Sequence, residues 1–290
     1  MTEPVVRTLI PVRDYDLDAT LTSGQAFRWR QRDTGWEGVV GGRWVYLEKS
    51  AAGINAAANA TDGDHGWDWL VHYLQANVIL DDILHTFPDD GPLGESVAVC
   101  RGLRLLRQDP WECLASFICS STKQIVQIQQ IIELLCQRHG QPIVTPAANS
   151  PEFSFPSPAR IASLSEADLR SCKMGFRAPY LRKAAQAVDT GRLDLEHLRT
   201  LPCPVARAAL MELPGVGEKI ANCVLLFAYG FPEAFPVDVW ITRALRKLYF
   251  PKRRPTPNRL RRFVETYFGP NAGYAQQYLF HFMRTRRDVL

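Results

Sequence analysis

The stretch ALMELPGVGEKIA, residues 209–221, holds the sharpest change of direction that the sequence encodes. An amphipathic run ends at Leu213, Pro214-Gly215-Val216-Gly217 makes a tight connection, and a second helix starts at about Glu218. Glycine lets the backbone turn sharply and lets another backbone approach. Free N–H groups at the start of the second helix suit a phosphate and read no base sequence. The pattern predicts a helix-hairpin-helix element with Gly215 and Gly217 at the phosphate, although a plain connector between two helices would carry the same glycines. Lys219 stands on the first turn of the new helix, near the positive end of its dipole, which opposes protonation of the amine. An amine so placed suits attack on a sugar C1′ and formation of a Schiff base. An exposed helix lysine would instead only touch phosphate.

Downstream comes Phe235-Pro236-Val237-Asp238-Val239-Trp240. Pro236 breaks the preceding segment and Asp238 reads as the N-cap of a helix over 239–248. A capping carboxylate is also a charge held in a fixed place, able to stabilise a cationic deoxyribose.

Working outward, Ile125, Ile128, Ile132 and Leu135 fall at helical spacing, with Ser120 or Ser121 to cap the start and Gly140 to close the end. Further helices are expected near 158–170, 178–190, 204–212, 218–229, 257–267 and 272–284. Before Pro88 the texture is different. The segments at 27–31, 36–40 and 43–48 read as short strands, the last two joined by Gly41-Gly42 as a primed hairpin turn. A helix over Trp67 to Leu80 is expected to cover one face of that sheet.

The length of 290 residues favours about two domains. With 46% hydrophobic and 22% charged residues the chain can build a sizeable core. No apolar run reaches the roughly 18 residues of a membrane span, and no signal peptide is expected at the N-terminus. Seven cysteines with no CxxC and no close pairing point to reduced thiols in an intracellular compartment, and argue against a zinc or iron–sulfur site. From Trp240 onward 12 Lys and Arg face two acids, a local +10 that leaves −6 on the remainder. Such an asymmetry favours a polyanion partner through counterion release.

LPGVGEKIANC (213–223) followed by FPVDVW (235–240) resembles the signature of base-excision DNA glycosylases of the helix-hairpin-helix, Gly/Pro-Asp superfamily. SGQAFRW (23–29), RLLRQDPWECLASFICSS (104–121), the GFR triplet at 175–177 and GPNAGYAQQYLF (269–280) narrow the resemblance to the 8-oxoguanine DNA glycosylase/AP lyase branch. The resemblance implies an α+β fold, with a twisted antiparallel β-sheet (TBP-like) domain over 1–88 and an all-α helix-hairpin-helix domain over 89–290. It implies excision of 8-oxoguanine from duplex DNA after the nucleotide is flipped out, followed by strand cleavage through β-elimination. Lys219 matches the nucleophile and Asp238 the catalytic aspartate. Gly24 matches the carbonyl that accepts N7–H of the oxidised base, Cys223 and Phe280 the pair that sandwiches it, and Gln276 the reader of its Watson–Crick edge. The carbonyls of Met211, Leu213 and Val216 match a structural cation site; no catalytic metal and no cofactor are implied. The expected partner is double-stranded DNA containing oxidised guanine, met by a monomer inside the cell, in the nucleus or in the nucleoid and cytoplasm.

The chain also departs from the eukaryotic pattern. Thr122-Lys123-Gln124 stand for three asparagines, Gln127 for an arginine, Phe176 for a tyrosine wedge and Trp240 for a histidine. Arg177 retains the remaining arginine that faces the partner cytosine. Two other readings are an alkylated-base glycosylase on the same scaffold, which works chiefly through the aspartate, and a non-catalytic protein that uses the hairpin alone. Neither calls for Lys219, Asp238 and a base pocket together.

Overall fold

The computed structural model describes residues 5–59, 66–120, 123–146, 152–252 and 255–286. The N-terminal part is a five-stranded antiparallel sheet in the order β1-β5-β4-β3-β2, built from β1 (Val5–Pro11), β2 (Arg30–Arg32), β3 (Gly35–Val40), β4 (Arg43–Ser50) and β5 (Gly53–Asn59). Helix α1 (Leu17–Thr22) follows β1. Val40 pairs with Arg43 across Gly41-Gly42, both at positive φ, as a primed turn requires. The strand expected over 27–31 starts only at Arg30, because Phe27 and Trp29 leave the sheet for the core. The indole N–H of Trp29 donates to Tyr73 Oη at 2.9 Å. Val45, Leu47, Ile54 and Ala56 bury one sheet face against Leu70 and Leu74 of α2 (Asp68–Leu74). The helix expected over 67–80 stops early at Gln75, which turns left-handed at φ 52°, and resumes as α3 (Leu80–Leu84).

The remainder is helical: α4 (Gly91–Cys100), α5 (Pro110–Ser120), α6 (Ile125–His139), α7 (Pro158–Ser163), α8 (Glu166–Ser171), α9 (Ala178–Asp189), α10 (Cys203–Met211), α11 (Glu218–Val224), α12 (Val239–Ala244), α13 (Pro257–Tyr267) and α14 (Ala272–Thr285). A two-stranded ribbon, β6 (Pro142–Ile143) with β7 (Glu152–Phe153), lies between α6 and α7. The class is α+β. The single helix expected over 158–170 is two, because Ser165 and Asp168 form a capping box that restarts the chain. α11 and α12 each continue into a π-helical turn, at Leu225–Tyr229 and Leu245–Tyr249, so both segments are helical to about the expected ends. Ser120 does not cap α6 as expected: it ends α5, and Gln124 is the N-cap. Ser121 lies outside the described residues. Among those described, no helix is long and apolar enough to cross a membrane.

α14 runs through the middle of the molecule. Tyr274, Tyr278 and Phe282 join the main helical core, while Ala272, Ala275 and Leu279 join a second cluster with Phe235, Ile241, Leu260 and Phe268. Sheet and helices meet at the segment 101–108. There Gln25, fully buried, donates from Nε2 to the carbonyls of Thr20 (2.9 Å) and Arg104 (2.8 Å) and accepts Leu106 N–H at 2.8 Å. Gln108 Nε2 donates to the Gln25 carbonyl at 2.7 Å, and Gln277 Nε2 of α14 to the Ser23 carbonyl at 3.0 Å. Gln25→Leu strips partners from several buried backbone groups, each costing about 1–3 kcal/mol when left unpaired. Denaturant unfolding of this variant is expected to show a loss of at least about 3 kcal/mol; a loss within about 0.5 kcal/mol, the range of an ordinary surface change, would mean that the joint is not held by this side chain.

Candidate active site at the hairpin

α10 and α11 form the hairpin that the sequence predicts. Leu213 N–H donates to the Leu210 carbonyl at 3.2 Å and Val216 N–H to the Leu213 carbonyl at 3.1 Å. Gly215 sits at φ +81°, and a Cβ there would lie 2.5 Å from the ring of Tyr180 on α9, so both conformation and space demand glycine. Gly217 is the N-cap of α11 and supplies no side-chain bond, which leaves first-turn N–H groups open. Of the three carbonyls matched to a cation site, that of Leu213 accepts the Val216 amide and keeps a second lone pair, so the donor set is compatible with a cation.

Lys219 points from α11 across to α5. Its Nζ donates to Ser120 Oγ at 3.3 Å and stands 5.1 Å from the centroid of the Phe117 ring. Among the described residues no carboxylate comes within ion-pair distance of it, so its amine is held by a hydroxyl, a ring face and the Cys223 side chain. Asp238 caps α12, accepting Ile241 N–H at 2.8 Å. Burial raises its carboxyl above the usual 3.8; the Ile241 amide, the Lys219 charge, the Trp240 amide and the Arg284 charge pull it back.

Lys219 and Asp238 line a cavity of about 1000 Å³, together with Gly24, Lys123, Trp240 and Arg284 among others. Beneath it is a recess of about 40 Å³ lined by Gly24, Lys219, Cys223, Asp238, Gln276 and Phe280. All six residues matched to catalysis and base recognition therefore face one small space. Gly24 is at φ +78°, and a Cβ there would lie 2.8 Å from Ile125 Cδ1 and 3.4 Å from Phe280 Cε1. The Cys223 thiol is pushed up to about 11 by burial, against the pull of Lys219, so it is a neutral apolar wall at neutral pH. Gln276 is 3% exposed, and its buried Oε1 has no hydrogen-bond partner. A buried amide oxygen without a partner is costly. The recess holds on the order of three waters, too few for a whole purine, and it shares Gly24, Lys219, Asp238 and Phe280 with the larger cavity.

The residues matched to the rest of the DNA surface are spread more widely. Lys123 and Trp240 line the outer cavity, and Arg243 lies over the Trp240 ring at 5.6 Å. Phe176 and Arg177 do not line it. Phe176 is 56% exposed on the turn before α9, with the Arg177 guanidinium 4.6 Å above its ring. Gln127 spends its side-chain oxygen on the Gln124 N–H at 3.0 Å, at the start of its own helix. Thr122 lies outside the described residues. Sequence reasoning missed Phe117, Ser120 and Arg284. The first two stand within a quoted motif but meet Lys219 only in the fold; Arg284 sits four residues past Phe280, on the same helical face.

The family pattern described as 8-oxoguanine DNA glycosylase, N-terminal domain, matches residues 7–114, and that of the HhH-GPD superfamily of base excision DNA repair proteins matches residues 115–270. The chain is 31% identical to a probable N-glycosylase/DNA lyase of Methanothermobacter thermautotrophicus, over 95% of each protein. It is 30% identical to N-glycosylase/DNA lyase OGG1 of Arabidopsis thaliana, over 91% of this chain and 76% of that one. The 8-oxoguanine glycosylase/lyase of Clostridium acetobutylicum, solved with double-stranded DNA containing cytosine opposite 8-oxoG, superposes with a TM-score of 0.87 over 98% of each chain, at 26% identity.

The raised Asp238 carboxyl sets a pH dependence. Its folded value lies above the unfolded one, so the fold takes up a proton there, and the group's contribution to stability falls as pH rises through the folded value. The charged form is the one that stabilises a cation. Single-turnover excision is therefore expected to rise with pH through a midpoint above 3.8, and Asp238→Asn to lack that limb. An identical acid limb in the variant would assign it to another group.

Proposed function

Since the chain belongs to the N-glycosylase/DNA lyase family that joins an 8-oxoguanine glycosylase N-terminal domain to the HhH-GPD base-excision repair fold, we propose that it excises 8-oxoguanine from duplex DNA through Lys219 and then cleaves the strand. It is a DNA glycosylase with AP lyase activity, and its substrate is double-stranded DNA carrying the oxidised base. The observation that carries the assignment of residues is the convergence of Lys219, Asp238 and the unpartnered Gln276 Oε1 on one recess.

The chemistry follows from that arrangement. The flipped base slides between the Cys223 thiol and the Phe280 ring, gives its N7–H to the Gly24 carbonyl and offers its edge to Gln276. As the bond from C1′ to the base lengthens, positive charge grows on the deoxyribose and the Asp238 carboxylate stabilises it. Lys219 Nζ bonds to C1′, the base leaves with the bonding pair and gains a proton, and Nζ gives up a proton. Opening of the sugar yields the imine. Loss of a C2′ proton then expels the 3′-phosphate, which breaks the strand, and water releases the lysine. Ser120 and Phe117 hold Nζ at its starting point. Gly215 and Gly217 place the hairpin on the backbone, which bears no base information. The protein works with the DNA inside the cell, as a monomer.

Lys219→Gln is expected to abolish the adduct that borohydride traps between wild-type protein and an 8-oxoguanine duplex, while binding of the duplex persists. Undiminished trapping in the variant would remove Lys219 from the mechanism.

The partner base is read weakly. Each good contact to a base edge is worth about 1–3 kcal/mol of discrimination. Arg177 supplies one fork of donors, whereas Gln127 is shorter, neutral and tied to the Gln124 amide. Excision opposite adenine, guanine or thymine is expected to fall by tenfold or less, on the order of 1.4 kcal/mol, relative to cytosine. Four duplexes that differ only at the opposite base test this in single turnover. A preference above about a thousandfold, ~4 kcal/mol, would mean that other side chains read the cytosine.

A further inference from the structure

Gln276, Phe280 and Arg284 recur every fourth residue on α14 and form one stripe along the helix. Each step advances about 6 Å along the axis. Gln276 lines the inner recess and not the outer cavity, Phe280 lines both, and Arg284 lines the outer cavity and not the recess. The stripe thus runs from the floor of the site to its mouth. Its first rung faces a base edge and its second a base plane.

The third rung carries a positive charge that has few direct hydrogen-bond partners and feels the Asp238 carboxylate at a distance. The Arg284 guanidinium lies 5.4 Å from the centroid of the Phe280 ring, and Nη1 makes one long bond to the Thr22 carbonyl at 3.4 Å. Nη1 is also 3.4 Å from where a Cβ on Gly24 would lie. Among the described residues no carboxylate comes within ion-pair distance of it, and most of its five donors are unused. The Asp238 carboxylate attracts this cation only from beyond ion-pair distance, so a closer anion supplies the contact that is missing. The anionic group of a nucleotide is its phosphate, and the planar fork of arginine matches phosphate geometry.

We propose that Arg284 grips a backbone phosphate next to the flipped nucleotide at the mouth of the site. This rests on the reading of the cavity as the place of a flipped nucleotide. Lysine and methionine do not replace arginine equally: the first keeps a point charge without the fork, the second keeps neither.

The test uses duplexes with an uncleavable tetrahydrofuran nucleotide and a neutral methylphosphonate placed either 5′ or 3′ of it. On the ordinary duplex Arg284→Met is expected to bind about tenfold or more weakly, the weight of one charge-assisted contact. Its log–log salt slope should be shallower by about one. At one of the two positions methylphosphonate should weaken the wild type by a similar factor and leave Arg284→Met unchanged. Arg284→Lys should keep the wild-type slope. Additive losses at both positions with an unaltered slope overturn the proposal. If Arg284→Met does not fold, Arg284→Gln takes its place in the same comparison. Wild-type trapping on an 8-oxoguanine duplex is run alongside. Its failure would refute the flipped-nucleotide reading itself, whereas trapping with additive losses removes Arg284 alone.

Discussion

The buried amide of Gln25 is the constraint on which the geometry of the site depends. It spends its donors and its acceptor on the backbone of α1 and of the segment 101–108, and its own carbonyl is held by Gln108. Ser23, two residues earlier, is fixed from the other side by Gln277. Gly24 lies between these two anchors with a left-handed backbone that nothing else on the loop would choose. On the proposed reading Gly24 offers a recognition carbonyl, which must sit within about 0.5 Å of its working place, and a loop anchored at one end would not hold that. The same bonds join the sheet domain to the helical one, so the fold and the pocket share one set of fastenings.

A second economy lies in α14. Two of its faces are buried in separate hydrophobic clusters, which leaves no freedom to roll about its axis. The third face can then carry an unpartnered amide and a half-buried guanidinium. These are groups that a less securely packed helix would shed into solvent. Stability on two sides supports polar groups on the third.

The hairpin was legible because glycine and proline announce a turn locally, and Gly41-Gly42 for the same reason. The extended match over most of the chain placed six site residues, and all six meet in one recess. What escaped notice has no local signal. β1 is largely exposed and β5 reads GINAAAN, so neither shows the alternation that marks a strand; their pairing with each other and with β4 makes them strands. Ser120 is one hydroxyl among several in its segment, and it matters only because α11 delivers Lys219 to it across a long stretch of chain. Gln25 stands in a quoted motif, yet nothing in the order of residues says that its amide reaches Leu106.

On the proposed reading the two halves of recognition are built to different standards, and packing explains the difference. The lesion side is enclosed: Cys223 and Gln276 are buried, and Gly24 stands next to the Gln25 joint. The opposite side is surface. Phe176 projects on a short turn with Arg177 folded back over its ring, and Gln127 is occupied at a helix start. An enclosed reader leaves a wrong base with unpaired buried groups, which is expensive, whereas an exposed reader lets water fill the gap at little cost. On the proposed reading the hairpin and the basic C-terminal segment supply binding energy without choice, and the choice is made in the enclosed recess.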